Sequence, residues 1–145
     1  MASSLDVLQD KLGNDYSKLF SLILTDRGSE FEKYNLFETN TSTGEFRGNI
    51  FYCGTQTPSQ KPNAENNHNY VRDIVPNKKS IKHLTQGDID LMFSHINSTP
   101  RAALNGKTPY ETFEFLYGSE IVKKLNVQRI EKDMVTLQPY LLNIK

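Results

Sequence analysis

Two rhythms of apolar positions run along the chain. Continuous apolar runs occur at Phe20–Thr25 and Asn49–Gly54, each short and rich in residues that favour strands. The first ends abruptly in Thr25-Asp26-Arg27-Gly28. An unbroken run of this kind predicts a strand buried on both faces, with Asp26 presented at its carboxyl end, the rim where α/β sheets place their chemistry. The other rhythm is helical. Leu5, Leu8 and Leu12 share one face of a helix over 4–12, with Ser4 as its cap and Gly13-Asn14 as its stop. Residues 15–19 form a further turn. A helix is predicted from about Asn63 to just before Pro76, with Tyr70, Val71, Ile74 and Val75 on its apolar side.

Thr85 opens a third helix, with Asp88 completing an acidic capping box and Ile89, Met92, Phe93 and Ile96 on its apolar side. Thr108-Pro109-Tyr110-Glu111 starts a fourth, which runs to about Tyr117 with Gly118 as its stop. Ser119–Leu125 is a short helix, and Met134–Leu142 alternates too poorly to be more than an extended tail. The polar run Thr39–Gly44 predicts a surface loop, and Thr55–Pro62 a mobile extended one. The resulting class is α/β, divided into residues 1–117 and a terminal piece, 118–145.

Charge and cysteine content change this little. The 17 basic and 17 acidic residues cancel. Residues 1–60 nevertheless carry 5 Lys/Arg against 8 Asp/Glu, and residues 61–145 carry 12 against 9, which points any polyanion to the second half. The single cysteine, Cys53, excludes an internal disulfide and a cysteine-based zinc site and is read as a small core residue. No apolar run approaches a membrane span, and no basic-then-apolar leader opens the chain, so a cytoplasmic protein without a membrane partner is expected.

The candidate chemistry lies at Asp26 and on the predicted helix from Asn63. Glu65, His68, Asn69 and Arg72 fall at i, i+3, i+4 and i+7 and so share one face. A carboxylate there suits a hard cation and a guanidinium suits a phosphate. Each residue alone also has a structural reading: Asp26 as a turn acid, Glu65 as a first-turn acid favoured by the helix dipole, His68 as a surface imidazole, Lys78 and Lys79 as a solvated turn.

Three segments, in order, resemble DDE transposases and retroviral integrases. Leu24-Thr25-Asp26-Arg27-Gly28-Ser29-Glu30-Phe31 is similar to the "TDNGSEF" segment around their second acid. Gln60-Lys61-Pro62-Asn63-Ala64-Glu65-Asn66-Asn67-His68-Asn69-Tyr70-Val71-Arg72 resembles the helix that carries their third. His95–Phe113, with Thr99-Pro100-Arg101 and Thr108-Pro109-Tyr110-Glu111 inside it, resembles the "N-x-R-P-R-x-x-L-x-x-x-T-P-x-E-x-F" tail. The nearest group is the insertion-sequence transposases of the IS-thirty kind, over roughly residues 5–140. Arg27 replaces the usual Asn, Thr99 stands where Arg is frequent, and the interval from Asp26 to Glu65 is a few residues longer than usual.

The resemblance implies an incomplete RNase H-like fold lacking its amino-terminal strands, with Asp26 and Glu65 as catalytic metal ligands and two Mg²⁺ or Mn²⁺ ions in the complete family site. His68, Asn69, Arg72, Lys78, Lys79 and Lys82 would contact DNA. The implied activity is metal-dependent cleavage and strand transfer of DNA in transposition, on element ends and target, near the bacterial nucleoid. The family's first Asp has no counterpart here: Asp6, Asp10 and Asp15 lie in or between helical segments. This carboxyl-terminal portion is therefore expected to be inactive alone, and to work as a homo-oligomer or with a full-length transposase. The alternative is a non-catalytic DNA-binding or interaction remnant that regulates such a transposase.

Overall fold

A computed structural model describes residues 2–54 and 62–144. The loop expected from Thr55 lies outside the described residues as far as residue 61, and Pro62 already belongs to a helix. The chain divides into two units, residues 1–60 and 61–145.

The first unit is a two-stranded parallel sheet with short helices. Helix α1 (Ala2–Leu12) is followed by a 3-10 turn at Gly13–Asp15 and by α2 (Tyr16–Leu19). Gly13 stops α1 at φ +56°, the left-handed conformation glycine adopts without penalty. The helix begins before Ser4, which therefore lies within it rather than capping it. Strand β1 (Leu22–Thr25) pairs in parallel with β2 (Asn49–Tyr52), in the register Leu22–Asn49, Ile23–Ile50, Leu24–Phe51 and Thr25–Tyr52. Between them runs α3 (Asn35–Glu38). Leu12, Tyr16, Phe37, Ile50 and Cys53 are buried and form the unit's apolar interior.

The expectation that β1 is buried on both faces fails. Leu22 is 56% exposed and Leu24 is 44% exposed, Ile23 is half-buried, and only Thr25 is buried. Burial is set by what surrounds a strand, and among the described residues β2 is the only strand hydrogen-bonded to β1. The strand is also shorter than expected, because Phe20 closes α2 by donating its N–H to Tyr16 O at 2.8 Å.

The run 39–44 is a surface turn as expected, exposed over 41–44 and anchored by the buried Asn40. Thr39 and Phe46 form an antiparallel bridge around it. Buried Asn40 accepts from the N–H groups of Ser42 and Thr43 and donates to Gln9 at 3.0 Å. Beneath lies Arg47, its side chain fully buried, donating to the Asp6 carboxylate of α1 and to Thr39 O at 2.5 Å. Asp6 also accepts the hydroxyl and N–H of Thr41. The Thr41 hydroxyl, more than any other group, holds the Asp6 carboxyl below its usual pKa, with Arg47 adding to the effect. A Cβ at Gly48 would lie 2.6 Å from Phe20 O, so only glycine lets β2 start this close to the end of α2.

The second unit is helical. Helix α4 (Pro62–Ile74) ends before Pro76 as expected. Helices α5 (Gln86–Asn97) and α6 (Pro109–Tyr117) open with complete capping boxes, Thr85 with Asp88 and Thr108 with Glu111. Helix α7 (Ser119–Lys124) follows. Ile74, Met92, Ile96, Leu142 and Ile144 make the core, with Tyr70, Val71, Val75, Leu84, Ile89, Leu137 and Leu141 packed against it. Phe93, expected inward, is exposed.

The tail departs most from expectation. It folds into 3-10 turns at Lys132–Met134 and Pro139–Leu142, and Leu142 is only 2% exposed. Three buried side chains of α5 and its cap hold the segment by accepting its backbone N–H groups: Ser94 Oγ from Gln128 (3.0 Å), Ser98 Oγ from Ile130 (2.9 Å) and His95 Nδ1 from Thr136 (3.1 Å). Burial lowers the His95 pKa.

Two outcomes are expected. Asp6→Ala strands a buried guanidinium and lowers the melting temperature of the first unit by roughly 10 °C, and the double change with Arg47→Met recovers much of the loss. Thermal unfolding followed by circular dichroism measures both; an Asp6→Ala protein that melts like the parent shows that the pair does not hold the unit together. For His95, the folded pKa lies below the unfolded one, so the unfolded state takes up a proton first as pH falls. Stability is then full above the unfolded value, about 6.5, and declines as pH falls from there toward the folded value. The melting temperature should drop between about pH 7.5 and pH 5.5, by less in His95→Gln than in the parent; equal drops contradict it.

Candidate functional site

Asp26 stands at the carboxyl end of β1, where backbone geometry fixes its place. The ladder continues one step past the strands, with Cys53 N–H donating to Thr25 O at 2.7 Å. Asp26 is the next residue and is exposed. Its Oδ1 accepts the N–H of Gly28 at 3.2 Å, closing the turn that leads the chain away from the sheet. Beside it Arg27, Gly28, Glu32, Tyr34 and Tyr52 line an open cleft of about 350 Å³. Tyr52 is fixed there by donating its hydroxyl to Phe31 O at 2.5 Å.

The oxygen-only chemistry of Asp26 suits a hard cation such as Mg²⁺. Among the described residues no group of three or more His, Cys, Asp or Glu side chains comes together, at Asp26 or elsewhere. Cys53 is free and buried, in keeping with a core residue.

Glu65 belongs to the second unit. Its backbone lies in the first turn of α4, and its side chain lies outside the described residues. The rest of the polar stripe is in place: His68, Asn69 and Arg72 are exposed on one side of α4, while Ile74 is fully buried and Tyr70 and Val71 pack on the core. The helix ends at a basic turn. Lys78 takes a positive φ of 69°, uncommon outside glycine, and Lys79 N–H donates to Pro76 O at 3.2 Å. Lys78, Lys79 and Lys82 are all exposed. Of the expected residues, then, α4 and the turn after it gather His68, Asn69, Arg72, Lys78, Lys79 and Lys82 in one unit, and Asp26 lies in the other.

Asp6 and Asp15, two of the acids upstream of Asp26, have cationic partners: Asp6 pairs with the buried Arg47, and Asp15 with the exposed Lys18 at 2.9 Å.

Transposase InsI of the insertion element IS30A of Escherichia coli (strain K12) is 33% identical to this chain over 107 residues. The chain is homologous to part of the IS30 transposases. The InsI transposases of elements IS30C and IS30D of the same strain match equally well. The transposase of element IS1086 of Cupriavidus metallidurans is 24% identical over 110 residues. The IS30 match covers 74% of the chain but 27% of the relative, so the chain spans about a quarter of the length of these proteins; the IS1086 match covers 76% and 31%. No family model matches, and no solved structure matches. Among the described residues no helix is long and apolar enough to cross a membrane.

One feature of this IS30-related chain escaped the sequence. Arg101 lays its guanidinium 3.6 Å from the centroid of the Tyr70 ring and donates to Ile96 O at 3.2 Å. The segment around Arg101 stood out as a family-like tail, but nothing in its spacing marks a stacking partner on α4.

Proposed function

We propose that the chain furnishes part of the DNA strand-transfer machinery of an IS30-type transposase, with an RNase H-like arrangement of its catalytic core. The observation that carries this is the 33% identity to the InsI transposases across three quarters of the chain. In this reading Asp26 and Glu65 are each a ligand for Mg²⁺ or Mn²⁺. Such ions, when bound, activate the attacking hydroxyl and stabilise the leaving oxygen of a phosphodiester. Asp26 offers a carboxylate whose turn is already closed by Gly28, so one oxygen is oriented before any ligand arrives. Arg72, His68 and Asn69 along α4, with Lys78, Lys79 and Lys82 after it, hold DNA phosphates, and exposure of all six on one unit supports that role. Two carboxylates hold a pair of ions poorly, so these residues alone are not expected to cut DNA.

A second reading, a non-catalytic element that binds DNA or joins a full-length transposase, is favoured by one feature. The exposed apolar side chains Leu22 and Leu24 on β1 invite another polypeptide.

Fluorescence anisotropy with duplex DNA separates the two. The chain should bind duplex with an affinity that falls with salt, and Mn²⁺ should tighten the complex. Arg72→Ala and the Lys78→Ala/Lys79→Ala pair should weaken binding by roughly 5- to 10-fold and flatten the salt slope by about one for each phosphate no longer neutralised. Asp26→Asn and Glu65→Gln should abolish the response to Mn²⁺. Metal-indifferent binding supports the non-catalytic reading, and absence of DNA binding overturns the first reading and reduces the second to an element that joins a full-length transposase.

A further inference from the structure

The second unit has a cleft of about 710 Å³ between the amino-terminal half of α4 and the turn after α5. Asn66, Asn67, Asn69 and Tyr70 line one wall, and Pro100, Arg101 and the small apolar residues after it line the other. Its size falls within the range that holds nucleotide-sized molecules, roughly 300–1,000 Å³.

The chemistry of the walls is selective. Among the described residues that line the cleft there is no Asp or Glu, and the one charge among them is the guanidinium of Arg101. Arg101 has no carboxylate partner among the described residues; Tyr70 and the Ile96 carbonyl hold its plane instead. A guanidinium restrained in this way keeps donors in reserve and loses little freedom on meeting a phosphate. Asn66, Asn67 and Asn69 make no side-chain hydrogen bond to another described residue and are exposed, so three amides, each both donor and acceptor, face the same space. A bare phosphate needs no acceptors, and a paired base keeps its Watson–Crick edge hidden. An unpaired base offers donors and acceptors together, beside its own phosphate.

We propose that this cleft binds an unpaired nucleotide of DNA, with Arg101 on the phosphate and the Asn66 and Asn67 amides on the base edge. The inference rests on the reading of DNA as the ligand and adds a specificity that the basic turn at Lys78–Lys82 does not supply. Tyr70 acts as a positioning residue for Arg101.

Anisotropy with two probes tests it, in EDTA so that metal plays no part: a blunt 20-base-pair duplex, and the same duplex carrying three unpaired nucleotides at one 3′ end. The parent chain should bind the second probe about tenfold more tightly. Asn66→Ala/Asn67→Ala should bring the two affinities within about twofold of each other while leaving blunt-duplex binding as it was. Arg101→Ala should do the same, and the exposed asparagine pair guards against a fold effect of taking the guanidinium away from Tyr70. Equal parent affinities for the two probes, or a preference that survives both variants, overturn the cleft while the DNA reading stands. No binding to either probe overturns both.

Discussion

The first unit depends on a buried charge pair. The Arg47 side chain is fully out of solvent, and the Asp6 carboxylate is its charged partner through Nη2, while Nε and Nη1 are buried without a hydrogen bond. A guanidinium in that position without a carboxylate would cost several kcal/mol, on the order of the whole stability of a small domain. Because Asp6 sits on α1 and Arg47 closely precedes β2, the pair ties the start of the chain to the start of the second strand. The turn at 39–46 is organised by the same group, since Thr41 and the Thr39 carbonyl bond to Asp6 and Arg47. Glycine at 48 then lets the backbone pass close to Phe20 and Ser21, where Asn49 N–H reaches Ser21 O at 3.1 Å. That hydrogen bond lies at the start of the ladder, and Cys53 N–H to Thr25 O lies at its other end, just before Asp26.

The second unit solves a different problem with uncharged groups. Its tail has little regular structure, so its backbone N–H groups need partners from elsewhere. Ser94, His95 and Ser98 supply them from the buried side of α5 and its cap, which lets Leu142 and Ile144 close the core against Ile74. With that core filled, the other face of α4 is left to solvent, and Arg72 and His68 stay on it. The polar stripe is a stripe because the opposite face is occupied.

Local signals were legible in the sequence, and signals that depend on distant partners were not. The capping boxes at Thr85 and Thr108, the stop of α4 before Pro76 and the helical periodicity of α4 are decided within a few residues, and the structure has them. The burial of β1 is decided by neighbouring strands, and Leu22 and Leu24 are apolar whether or not a neighbour covers them. Asn40 and Arg47 sit in a run whose composition says loop, and what buries them is α1, more than thirty residues away. The tail lacked periodicity because its apolar residues meet the core from 3-10 turns rather than from one helix face. Asp26 was visible as an acid ending a strand, and its turn is as expected. The stacking of Arg101 on Tyr70 joins segments about thirty residues apart and leaves no mark in either.

Everything proposed for the chemistry turns on Asp26 and Glu65 being the divalent-ion ligands of this chain. Paramagnetic broadening of amide resonances, on titrating Mn²⁺ into the isotope-labelled protein, reads this out residue by residue. Broadening should begin at the amides of residues 26–28 and 64–66, and Asp26→Asn and Glu65→Gln should each remove it at the substituted position. Broadening that starts elsewhere, or that survives both substitutions, would contradict the assignment.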